Sequence, residues 1–107
     1  MELTKLRMVT IVAESILEER ICARALELGA SGFTVVESRG HGSLGRNAGE
    51  IPGVNVRIEI VVDERVAEQL LIGISKEYFE HYSVICFLSD VFVLREGKYL
   101  KKDESKA

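Results

Sequence analysis

Apolar residues recur along this chain at two spacings, and each change of spacing marks an element. Residues 6–13 alternate between two largely apolar sets, Leu6, Met8, Thr10 and Val12 against Arg7, Val9, Ile11 and Ala13, which predicts a strand. Ser15 followed by Glu18 has the spacing of a capping box, and Leu17, Ile21, Ala25 and Leu28 then form one stripe of a helix of about four turns. Gly29 supplies the position just past its end. Residues 32–39 are rich in β-branched and aromatic types and predict a second strand. Residues 54–62 give the clearest third one, with Val54, Val56, Ile58, Ile60 and Val62 inward and Asn55, Arg57 and Glu59 outward.

Asp63 is suited to cap a second helix that runs to about Tyr82, with Val66, Leu70, Ile74 and Tyr78 four apart and Ala67 and Leu71 widening the face. Gly73 inside it suggests a close backbone approach. Residues 84–88 predict a fourth strand and 91–95 a shorter fifth. Residues 98–107 form a polar, lysine-rich tail without periodicity, expected to fray. Between the second and third strands, residues 40–53 hold Gly40, Gly42, Gly45, Gly49 and Gly53, five of the nine glycines, and the only proline, Pro52. Such a stretch packs no core, and a loop of that length is rarely idle.

The order predicts an α+β, ferredoxin-like βαββαβ sandwich, a single domain over residues 1–97 with the tail at 98–107. Right-handed crossovers put both helices on one face of the sheet. The other face is then bare, although the first and fourth strands are apolar on both sides: Val9, Ile11, Ile85 and Phe87 are expected to be hidden by a closed homo-oligomer.

Composition narrows the chemistry. The 107 residues are 47% hydrophobic and 29% charged, as in a folded domain, and the net charge of −3 supplies no field for nucleic acid. An RNA-recognition module would also want aromatic stacking residues on the central strands, where Arg57 and Glu59 stand instead. Cys22 and Cys86 lack the spacing of a zinc ribbon or dithiol motif and suit buried thiols in a reducing cytosol. No apolar run spans a membrane and no leader pattern opens the chain, so a cytoplasmic protein is expected. His41 and His81 are isolated, and the helix carboxylates are dispersed, so neither a metal site nor a general acid/base pair stands out.

Residues 38–46 differ in kind. Their glycines let backbone N–H groups converge on an anion, and Arg39 and Arg46 bracket them with guanidinium donors for phosphate or carboxylate. A solvated surface loop has the same composition, so this pattern alone leaves both readings open.

The run Gly29-Ala30-Ser31-Gly32-Phe33-Thr34-Val35-Val36-Glu37-Ser38-Arg39-Gly40-His41-Gly42, followed by Asn55-Val56-Arg57-Ile58-Glu59-Ile60-Val61-Val62, resembles the P-II signal transduction family, from about residue 5 to residue 97. The resemblance implies a ferredoxin-like homotrimer that binds an adenine nucleotide (AMP, cyclic AMP, ADP or ATP) in clefts between subunits. It also makes residues 40–53 the family's T-loop, through which a membrane transporter or an enzyme is engaged. That loop has no tyrosine to modify, Asn55 stands where classical members have a lysine, and residues 78–86 replace the glycine- and lysine-rich B-loop. These departures disfavour classical nitrogen signalling and are similar to the PII-like branch associated with bicarbonate transporters and carboxysomes, which adds bicarbonate as a candidate ligand.

By the same resemblance, Thr34 and Gly40, His41 and Gly42 match positions near the adenine and ribose, and Arg46 has the reach to hold phosphates. Ser83, Val84 and Ile85 occupy the B-loop region, and Arg57 and Arg95 match basic positions lining the cleft. The expected function is regulatory and not enzymatic, with membrane association only through a transporter partner. The alternatives are a small-molecule or nucleotide hydrolase on the same fold, or a classical nitrogen-regulatory protein.

Overall fold

The computed structural model describes residues 2–40 and 55–100. Strand β1 (Thr4–Glu14) leads through a 3₁₀ turn (Ser15–Leu17) into helix α1 (Glu18–Leu28). Strand β2 (Thr34–Ser38) and strand β3 (Asn55–Val62) follow, then helix α2 (Glu64–Tyr78), strand β4 (Ile85–Val93) and a closing 3₁₀ turn (Glu96–Lys98). The sheet order is β2-β3-β1-β4 and every neighbouring pair is antiparallel. This is the ferredoxin-like arrangement, with α1 packed over β3 and α2 over β1 and β4.

One core lies between sheet and helices. Val9, Ile11 and Ala13 from β1 and Val56, Ile58, Ile60 and Val62 from β3 meet Leu17, Ile21 and Ala25 on one helix and Val66, Leu70, Ile74 and Tyr78 on the other. Odd positions of β1 therefore face the helices. This corrects the expectation that Val9 and Ile11 lie on the bare face: both are 0% exposed, beneath α1 and α2. The register sets the true open face. Ile11 pairs with Ile58 and Cys86, whereas Val12 pairs with Arg57 and Ile85, so the uncovered side carries Met8, Val12, Arg57, Val61, Ile85 and Phe87.

Local chemistry explains the boundaries. Gly29 ends α1 at φ +118°, a backbone state that glycine enters without strain, and its N–H donates back to the helix. Asp63 Oδ1 accepts the Val66 N–H at 2.8 Å, the expected cap of α2. The capping box at Ser15 does not form. β1 continues to Glu14, Ser15 is absorbed into the 3₁₀ turn that drops Leu17 into the core, and α1 starts without a side-chain cap.

The predicted fifth strand is the second half of β4. β1 begins at Thr4 and so offers partners as far as Val93, and Asp90, which reads as a break in the pattern, is held within the strand by Lys5 at 3.5 Å and Arg7 at 3.3 Å. α2 stops at Tyr78, short of Tyr82, although Tyr82 N–H still donates to the Tyr78 carbonyl at 2.9 Å. Gly73 is not a close-packing position: a Cβ there would meet nothing within 4 Å. At the other end of the chain Ser31 Oγ donates to the Lys98 carbonyl at 2.6 Å, and Tyr99 and Leu100 are half-buried, so the start of the polar tail belongs to the fold.

Candidate functional site

Two rows of residues cross the open face near the ends of β2 and β3. Val36, Arg57, Val12 and Ile85 form one row through the paired positions of β2, β3, β1 and β4; Thr34, Glu59, Thr10 and Phe87 form the next. Neighbours within a row lie about 4.8 Å apart and the rows about 7 Å apart. Thr34, Arg57 and Ile85, three of the sequence-predicted residues, thus share one face. Arg57 Nε is 3.4 Å from Glu59, and both side chains reach solvent. An exposed pair of this kind contributes between about 0 and 1 kcal/mol, so Arg57 can exchange Glu59 for an anion at little cost.

A third row closes the sheet where β2 ends and β3 begins. Ser38 pairs with Asn55 and Asn55 with Glu14, and continuing the β1–β4 register by two residues brings Ser83 opposite Glu14. There the backbone ladder has ended, and the Glu14 side chain takes its place: Oε2 accepts the Ser83 N–H at 2.8 Å. Arg39 and Gly40 follow Ser38 directly and are exposed, as are Ser83 and Ile85, while Val84 is half-buried against the core. His41, Gly42 and Arg46 lie outside the described residues.

Arg95 stands apart. It lies two residues beyond the far end of β4, and the strand from Ile85 to Val93 is itself about 26 Å long. It is the one non-glycine residue with positive φ among those described (58°), and its carbonyl accepts the Lys98 N–H at 2.9 Å. A single chain cannot bring Arg95 and Ser83 to the same ligand. Two surface hollows lie elsewhere. One, of about 290 Å³, is lined by residues that include Cys22, Leu26 and Phe33; the other, of about 310 Å³, is lined by Asp63, Arg65, Tyr99 and their neighbours. Neither is lined by a sequence-predicted site residue.

The thiols are poor nucleophiles. Burial, reinforced by Glu18, pushes Cys22 up to about 11, and burial also raises Cys86. Both are protonated at neutral pH. Among the described residues no three His, Cys, Asp or Glu side chains gather as a metal site, and His81 only approaches Glu80, at 3.5 Å on the surface. Glu14 is the residue at this end of the sheet that sequence reasoning missed. Nothing in its spacing separates it from other surface carboxylates; only the strand register reveals what it holds.

The ferredoxin-like sheet with its open apolar face is an α+β regulatory-protein type of fold only by relation, and that relation is shown: the model for the nitrogen regulatory protein P-II matches residues 6–98. The chain belongs to the P-II family. It is similar to a PII-like signalling protein from Thermus thermophilus, at 44% identity over 94% of this chain and 100% of that one, with a TM-score of 0.80. It is also similar to CPII from Thiomonas intermedia. The form of CPII bound to ADP and bicarbonate is 28% identical, covering 92% of this chain and 97% of that one at a TM-score of 0.80. The form bound to ADP, AMP and acetate is 25% identical, covering 92% and 98% at 0.79. The PII-like branch is therefore the one that this chain joins.

Proposed function

We propose that this protein is a non-enzymatic regulator in the cytoplasm, which binds an adenine nucleotide between the subunits of a homotrimer and uses residues 40–53 to engage a partner, a membrane transporter or an enzyme. The observation that carries the reading is the division of the candidate residues. Thr34, Arg57, Ser83 and Ile85 share the open face, with Val84 turned to the core, whereas Arg95 lies beyond the far end of β4, which runs about 26 Å from Ile85 to Val93. A site using both sets must take Arg95 from a neighbouring copy, and the exposed apolar face supplies the surface on which copies associate. The ADP-, AMP- and bicarbonate-bound forms of CPII support the choice of ligand.

In this reading His41, Gly42 and Arg46 complete the site from the loop, with Arg39 and Gly40 at its base. Nucleotide and bicarbonate act by favouring one loop arrangement over another, and each shifts partner affinity only by its own differential affinity for those arrangements. Thiol catalysis is disfavoured, because Cys22 and Cys86 stay protonated.

Thermal unfolding of the purified protein with AMP, cyclic AMP, ADP and ATP, each with and without bicarbonate, tests the reading. A nucleotide at a hundredfold excess over its Kd stabilises by about 2.7 kcal/mol, which moves Tm by roughly 10 °C in a domain of this size. No shift with any of the four at millimolar concentration would rule out nucleotide sensing.

A further inference from the structure

The Glu14 carboxylate holds together two segments that are far apart in sequence. Glu14 is the last residue of β1 and faces Asn55, the first residue of β3, one strand spacing or about 4.8 Å away. Ser38, the last residue before Arg39 and Gly40, lies one strand further on in the same row. On its other side Glu14 Oε2 takes the Ser83 N–H at 2.8 Å, in the stretch that leads into β4. Backbone pairing between β1 and β4 stops at Val12 and Ile85, so this side chain is what continues the ladder to Ser83.

Each feature of the contact favours a positioning role. A carboxylate accepting a backbone N–H makes a charge-assisted bond, stronger and shorter than a neutral one. The connection from Tyr78 to Ile85 needs such a tether, since helical pairing ends near Tyr82 and β4 begins at Ile85. Ser83 is exposed, so solvent would otherwise take its N–H and leave the segment free to choose other conformations. Asn55 and Ser38, by contrast, are fixed by backbone pairing. Glu14 is therefore the one side chain among the described residues that sets the distance between the Ser38–Asn55 end of the sheet and residues 83–85.

We infer that Glu14 is a positioning residue of the nucleotide site: it orders residues 83–85 against the adjoining ends of β2 and β3 at Ser38 and Asn55, and ligand binding depends on that order. This inference rests on the nucleotide reading above and adds to it a residue that touches no ligand. Preorganisation of this kind raises affinity because the ordering cost is met before the ligand arrives.

The test compares wild type, Glu14→Ala and Glu14→Gln in two measurements: amide hydrogen exchange at Ser83 in the unliganded protein, and calorimetric titration with ADP. Glu14→Ala is expected to expose the Ser83 amide to exchange and to weaken ADP by about tenfold, the scale of one lost charge-assisted hydrogen bond. Glu14→Gln is expected to restore most of both, since its carboxamide oxygen accepts the same bond. Unchanged ADP affinity in Glu14→Ala, together with faster exchange at Ser83, would overturn the inference. Equal loss of ADP affinity in Ala and Gln would also overturn it, by making the charge and not the tether the active feature. If wild type itself bound no nucleotide, the nucleotide reading would fail, and Ser83 exchange would still decide whether Glu14 tethers the segment.

Discussion

Assembly through the open face is most directly tested at Phe87, which projects from β4 at 50% exposure beside Ile85 at 59%. A buried Phe side chain removes roughly 150–250 Å² from water, so the half still exposed here amounts to about 100 Å². At about 25 cal/mol per Å², hiding it in an oligomer contributes ~2.5 kcal/mol per chain, or ~7.5 kcal/mol for a trimer. Phe87→Asp forfeits that and forces three carboxylates into the interface, each costing several kcal/mol unless paired. Within one chain the same change stands on a solvent-facing edge position and costs about 1 kcal/mol or less. The variant should therefore sediment as a folded monomer of 11.9 kDa at micromolar concentration, where wild type is expected at three times that mass. Circular dichroism and a cooperative melt report whether the monomer is folded. Ile11→Asp would be the wrong experiment, because Ile11 is 0% exposed under the helices and its replacement unfolds the chain whatever its oligomeric state. A trimeric Phe87→Asp, or a monomeric wild type, would refute the role given to this face.

Further expectations concern single groups. Arg46→Ala should weaken ADP by roughly 1.5–3 kcal/mol in titration calorimetry while leaving adenosine unaffected, if the arginine holds phosphate as proposed. Gly73→Ala should raise stability by about 1 kcal/mol in urea melts, since the added Cβ meets nothing within 4 Å and glycine is the poorer helix former. Gly29→Ala should lower it by about 1–2 kcal/mol through its φ of +118°, although a Cβ there makes only ordinary contact with Val66 at 3.7 Å. For Cys22 the folded thiol titrates near 11 and the unfolded one near 9.0, so the unfolded chain loses its proton first. Stability should then fall by on the order of 2 kcal/mol as pH rises from 9 to 11, and Cys22→Ala should show a shallower decline in the same melts.

The periodic parts of this molecule could be read from the chain because burial alone decides them. The alternation of Val56, Ile58, Ile60 and Val62 and the four-residue spacing of Val66, Leu70, Ile74 and Tyr78 each admit one packing, and all eight side chains are buried. β1 was different. Both of its residue sets are apolar, so pattern could not tell which one faces the helices, and that choice is made by pairing with Ile58 and Cys86 across the sheet. The Ser89-Asp90 interruption misled for a related reason. A charged residue inside a strand is stable when Lys5 and Arg7 on the adjacent strand neutralise it, and those partners lie more than eighty residues away in sequence.

The candidate site follows the same division. Glycine and arginine composition points to residues 38–46 without any three-dimensional information, because backbone freedom and guanidinium charge are properties of residue types. Which strands deliver Thr34, Arg57 and Ile85 to one face is a property of register, and Glu14 becomes meaningful only once Ser83 is opposite it. Arg95 extends the argument to the assembly. Its backbone is held in the left-handed region, at φ 58°, which costs an L-residue about 1–2 kcal/mol. Arg95→Gly relieves that strain, and the greater freedom of glycine in the unfolded chain offsets part of the gain. The net effect leaves the fold no less stable, so loss of nucleotide affinity in that variant would report the side chain and not the fold. Its loss would also mean that a residue beyond the far end of β4, about 26 Å of strand from Ile85, contributes to the same ligand, which only a neighbouring copy can arrange.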